Sequence, residues 1–161
     1  MSMNHDFIFF NEKLDEVVIK VEIEDSFLDF IDLKIGFDNN LFSKILTINP
    51  SYVDKPYGNL IPTVKGFSSF GIMVVNHYSL SELKMMFNQW IEVLSELETN
   101  KYYYDLVGLT EKELNFLTKG ELTVLKESYF EKKVLLDKLK CCLDHVNLLN
   151  DSNYILKHEG I

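Results

Sequence analysis

The side chains able to do chemistry are few and scattered. Histidine occurs four times, as His5, His77, His145 and His158, and cysteine twice, as Cys141 and Cys142. Cys141 and His145 stand four residues apart, which places both on one helix face, but a structural zinc requires two more ligands and the chain offers only distant single residues. An ordinary helix carrying small thiols accounts for that cluster. His77 closes an apolar run just before a helix start, where sites tend to collect, and is the best single catalytic candidate. No G-x-S-x-G elbow accompanies it, and Gly58, Gly66 and Gly71 build neither a G-x-G-x-x-G turn nor a Lys-terminated phosphate loop. The expectation is a non-catalytic protein with no metal and no cofactor, in which His77 hydrogen-bonds its surroundings.

Carboxylates and tyrosines carry the stronger signal. The stretch Val21 to Leu33, VEIEDSFLDFIDL, sets five acids among seven large apolar residues with no base. Residues 1–40 hold ten acids and three Lys, residues 41–80 one acid and three Lys, and residues 81–161 fourteen acids and ten Lys. Most of the net charge of −9 therefore belongs to the first quarter. Tyr102, Tyr103 and Tyr104 run in succession, and tyrosine is favoured at protein interfaces for its large rigid apolar area with a polar end.

The whole composition bounds the class. A chain of 161 residues with 47% hydrophobic content fits one domain, 1–161, burying about 70% of its unfolded surface. Neighbouring Cys141 and Cys142 point about 100° apart on a helix, a poor geometry for a disulfide, and a reducing cytoplasm fits. No window approaches the roughly 20 apolar residues of a spanning helix, and the N-terminus lacks a basic leader, so neither membrane insertion nor export is expected. Arginine and alanine are absent. Without Arg there is no bidentate clamp for guanine, phosphate or carboxylate, and the acidic balance argues against direct nucleic-acid binding.

The elements that must position these residues follow from periodicity. Asp6 to Phe10 reads as a strand. Val17, Ile19, Val21 and Ile23 alternate with wetter neighbours as a second strand, and Ile31, Leu33, Ile35 and Phe37 alternate as a third, with a helix over Ser26 to Leu33 as the alternative. If the strands pair, Glu22, Glu24, Asp29 and Asp32 share a solvent face, where like charges oppose each other. Leu41 to Ile48 fits a strand or a short helix. Residues 49–66 contain all three prolines and read as a long loop. Phe70 to Tyr78, nearly continuous in apolar residues, reads as a central strand.

From Ser79 the pattern turns helical. Ser79 and Glu82 match a capping box that opens a helix to about Glu98, with Leu80, Leu83, Phe87, Trp90, Leu94 and Leu97 on one seam. Thr110 and Glu113 match a second box, and a long helix is predicted over 121–149. Tyr154 to Ile161 reads as a last strand or a tail. The fold class is α+β, a strand-rich half (1–78) forming an antiparallel or mixed sheet against a helical half (79–161).

In size, charge, acidic strand-rich first half and lack of a catalytic constellation the chain resembles the small acidic immunity proteins of bacterial toxin and contact-dependent inhibition systems. The resemblance is one of type and transfers no residues. It implies an inhibitor that occludes the cleft of a basic, nuclease-type toxin, with Glu22, Glu24, Asp29 and Asp32 as charged contacts and Tyr102, Tyr103 and Tyr104 as an aromatic anchor. Three rivals remain: a phage or plasmid inhibitor of a nucleic-acid-handling machine acting by charge mimicry, a small enzyme centred near His77, and a homo-oligomer built through the last long helix.

Overall fold

A computed structural model describes residues 4–68, 70–98, 100–103 and 129–161. The chain is α+β. Alternation of His5, Phe7 and Phe9 with outward neighbours makes β1 (Asn4–Asn11), which turns through residues 12–15 into β2 (Glu16–Glu24). The Asn11 side chain accepts the Leu14 amide at 3.0 Å, and Asp15 adopts the left-handed region at φ 53°, so the turn closes by local polar chemistry. Phe9 lies across from Ile19 and Phe10 from Val17, leaving Val18 as the extra residue of a bulge.

The chain then departs from the predicted third strand. Residues 25–35 form a helix, α1 (Asp25–Ile35), that starts directly where β2 ends. The period-two reading of Ile31, Leu33 and Ile35 fails because Phe27, Leu28, Phe30 and Ile31 are all buried while Leu33 is 61% exposed, the phase of a helix. Gly36 ends it at φ +85°, and its amide bonds to the Asp32 carbonyl at 2.9 Å. Of Leu41 to Ile48, Leu41–Ser43 forms a 3-10 turn, and β3 (Leu46–Thr47) pairs with β4 (Val64–Lys65).

β5 (Ile72–Val75) lies at a sheet edge rather than at the centre. Its burial has a local cause: Ile48 and Val74 exchange two backbone hydrogen bonds of 2.8 Å, so the loop segment covers that edge. The main sheet runs β2-β1-β8-β5, all antiparallel, and its second central strand is β8 (Tyr154–Glu159), the C-terminal segment. Three of the four strands come from the first half, and the last is supplied from the far end of the chain.

The helical half packs on the inner sheet face. α2 (Leu80–Ser95) buries Leu83, Phe87, Trp90 and Leu94 of the predicted seam, with Met86 beside them. Its capping box does not form. The Ser79 hydroxyl donates instead to the Leu46 carbonyl at 2.7 Å, and one turn earlier the Asn76 side chain accepts the Tyr78 amide at 3.1 Å. The predicted 121–149 helix is shorter: β7 (Tyr129–Glu131) pairs with β6 (Lys101–Tyr103), and α3 spans Lys132–Val146 with Leu135, Leu139, Cys142 and Val146 buried. Lys132 donates to the Ser95 and Leu97 carbonyls at 3.1 and 2.9 Å and so caps α2. The helix that the Thr110 box would open and the predicted start at 121 lie outside the described residues. Among the described residues no helix is long and apolar enough to cross a membrane.

Candidate functional site

α1 carries the acids. Asp25, Asp29 and Leu33 follow one another at four-residue steps, with Asp32 beside them, so they share the helix side opposite the buried Phe27, Phe30 and Ile31. Leu33 is exposed, and Phe37, two residues past the helix, is 65% exposed. The result is an acidic stripe with apolar side chains at its lower end. Glu22 and Glu24 lie on β2 just before the helix, so the four acids proposed from sequence fall on a strand and the helix it feeds, not on two paired strands.

Their environments differ. Glu22 is exposed, with the Lys20 ammonium 3.4 Å away, and Lys20 also reaches Asp6 at 3.3 Å. Glu24 is half-buried, one oxygen 4.0 Å from Lys138 of α3 and the other buried without a hydrogen bond. Asp32 accepts a 2.7 Å hydrogen bond from the Asn40 side chain. Asp29 has no hydrogen bond or ion pair among the described residues. Loss of hydration against the protein beneath it, followed by the charges of Asp25 and Asp32, holds its carboxyl above the ordinary carboxylate value.

Both ends of α1, by contrast, are tied into the core by polar chains. At the start, Asp25 Oδ1 lies 2.7 Å from His5 Nε2, and His5 Nδ1 lies 2.9 Å from Nε2 of His158. His5 and His158 are 1% and 0% exposed, and the His158 ring is enclosed by Phe7, Phe42 and Phe67. Burial, then the neighbouring His5, lowers the His158 pKa to about 3. At the other end, the buried Asn40 donates to Asp32 and accepts the Trp90 indole N–H at 3.0 Å. Sequence reading missed both chains. The signal for the first was present in the alternation of His5 with Phe7 and Phe9 and of His158 with Leu156, but nothing local links residue 5 to residue 158.

The remaining candidates do not assemble a reactive site. His77 Nε2 sits 3.2 Å from Asn59 Oδ1 and its ring stacks on Tyr78, with no carboxylate or nucleophile bonded to it among the described residues. A groove of about 380 Å³ runs along β5, lined by Val53, Tyr57, Ile72, Val74, Lys55 and Lys157, and His77 is not part of its wall. His145 Nδ1 bonds to the Cys141 carbonyl at 2.7 Å, one turn back along its own helix, which spends that nitrogen. Burial pushes the Cys142 thiol upward, away from the thiolate a metal needs. Among the described residues no group of three or more His, Cys, Asp or Glu could hold a metal ion. Tyr102 and Tyr103 lie on β6, and Tyr104 is outside the described residues.

No known protein family, curated protein or solved structure matches the chain.

Proposed function

We propose that this protein is a non-catalytic, protein-binding inhibitor of the immunity-protein type, and that the exposed side of α1 docks into the basic cleft of a nuclease-type toxin. The observation that carries the reading is Asp29, an exposed carboxylate left without a partner between two like charges. Like charges at this helical spacing destabilise a free helix by about 0.2 to 0.5 kcal/mol per pair, and a cationic partner reverses that term on binding. Leu33 and Phe37 supply the apolar centre that charged contacts alone lack. Glu22 and Glu24 extend the negative field along β2 and steer encounter, while Tyr102, Tyr103 and Tyr104 belong to a separate segment whose part in binding is open to direct test.

Inhibition by charge mimicry of a nucleic-acid-handling machine would use the same stripe, and the identity of the captured protein separates the two. The test is an affinity capture from a lysate of the source, run with wild-type bait and with Glu22→Gln/Asp29→Asn bait. The reading expects a basic protein held by the wild type at low salt, released at high salt, and depleted on the variant. Equal retention on both baits, or no basic protein on either, would overturn it.

A further inference from the structure

We propose that the Asp25, His5, His158 chain is an acid-sensitive latch: it holds the first turn of α1 against the end of the sheet near neutral pH and lets it go on acidification. The role in regulating partner binding rests on the α1 docking face proposed above.

The inference comes from where protons can sit. Asp25 accepts from His5 Nε2–H across 2.7 Å, which leaves His5 Nδ1 facing His158 Nε2 at 2.9 Å. Exactly one hydrogen can occupy that second contact. In the neutral chain it belongs to His158, whose Nε2–H donates to the His5 Nδ1 lone pair, and His158 Nδ1 is then a bare lone pair, buried and without a partner among the described residues. A further proton has two routes. Placed on His158, it creates an Nδ1–H with no acceptor. Placed on His5, it makes His5 the donor to His158 Nε2, and the displaced His158 hydrogen must move to Nδ1. Both routes end with a buried N–H that nothing accepts, which is more expensive than a buried lone pair.

The surroundings provide no relief. From the flanking strands β1 and β5 the neighbours are Phe7 and Met73, each across from His158. Phe42 and Phe67 close the remaining sides of the ring. The charged groups near the chain are Asp25 itself, Asp29 within electrostatic reach of His5, Glu24 at the end of β2, and Lys138 of α3 beside Glu24. None can accept from His158 Nδ1. The folded state therefore resists a proton that the opened chain takes freely, so acid favours opening of the buried His5–His158 pair, to which the start of α1 is joined through Asp25.

The effect is large enough to read. With the native His158 at about 3 and its ordinary value 6.5, lowering the pH from 7.5 to 5 raises the opening equilibrium about 30-fold from this group alone. As α1 loosens, Asp25, Asp29 and Leu33 lose their fixed spacing, so the partner is released in acid.

The test is nitrogen-detected histidine NMR on the free protein from pH 8 to 4, read together with the backbone amide signals of residues 25–29. The latch predicts His158 neutral with hydrogen on Nε2 and a bare Nδ1, no ordinary titration near pH 6.5, and loss of the native α1 signals as the pair takes up protons. His158→Phe, which removes the proton acceptor, should flatten the pH dependence of unfolding over the same range. A His158 that titrates near 6.5 while residues 25–29 keep their native signals would overturn the proposal, whether or not the variant folds. Because both readouts use the free protein, their failure leaves the docking face standing, whereas failed capture at neutral pH would sink the docking face and leave the latch.

Discussion

The ends and the middle of α1 treat the same residue type in opposite ways. Asp25 and Asp32 are answered, one by the His5–His158 pair and the other by Asn40 with Trp90 behind it. Asp29, between them, makes no hydrogen bond or ion pair among the described residues, and lost hydration and like charge outweigh the pull of His5. Two carboxylates on this helix thus fasten it to the core, and the one they flank is left with a raised pKa at the surface. An acidic segment is thus not one feature: environment divides it into anchors, which serve stability, and the proposed contact, which costs some.

Substitutions at the anchors should have the largest effects. His5→Ala strands Asp25 and His158 together and should lower stability by about 3 kcal/mol, measured by urea denaturation at pH 7.5. Asn40→Ala leaves the buried Trp90 N–H without an acceptor and removes a donor from Asp32, with an expected loss of about 2 kcal/mol in the same assay. If either variant were as stable as the wild type, the polar chains would be incidental to holding α1.

Acidification distinguishes anchor from contact by sign. The native His158 pKa lies below that of the unfolded chain, so the stability it contributes is complete above about pH 6.5 and is lost as the pH falls toward 3. Between pH 7.5 and 5 the loss should be about 2 kcal/mol. Asp29 runs the other way: its native pKa is raised, so protonation relieves the folded state, and only at lower pH. A denaturation series that stayed flat from pH 7.5 to 5 would contradict the assignment of His158.

How much of this was legible beforehand follows from what each element depends on. The α2 seam through Leu83, Phe87, Trp90 and Leu94 was readable because one helix face fixes it locally. The strand reading of Ile31, Leu33 and Ile35, with a helix over Ser26 to Leu33 as its alternative, rests on a local alternation, whereas the helix is decided by Phe27 and Phe30, whose partners Trp90 and Phe130 come from distant α2 and β7. The acids stand out in the sequence, but their division does not, since it depends on residues 5, 40, 90 and 158. β8 was visible as a possible strand, and its central place in the sheet was not, because order depends on pairings across the whole chain.

The smallest stability effects belong to the contact. Asp29→Asn should stabilise the free protein by about 0.3 kcal/mol, through removal of like-charge repulsion. Leu33→Ala, at an exposed position, should change stability by less than about 0.5 kcal/mol, yet shorten the lifetime of the complex, since an apolar centre acts mainly on dissociation. A Leu33 variant with unaltered dissociation would move the apolar centre away from α1.

The most direct test of the docking face is the association rate of the captured partner with wild type and with Glu22→Gln/Asp29→Asn, measured by stopped flow across a salt series. The account predicts slower association for the variant at low salt, with a flatter salt dependence, and convergence of the two at high salt. Identical rates and slopes at every salt concentration would contradict it and reduce the stripe on α1 to a solvated surface.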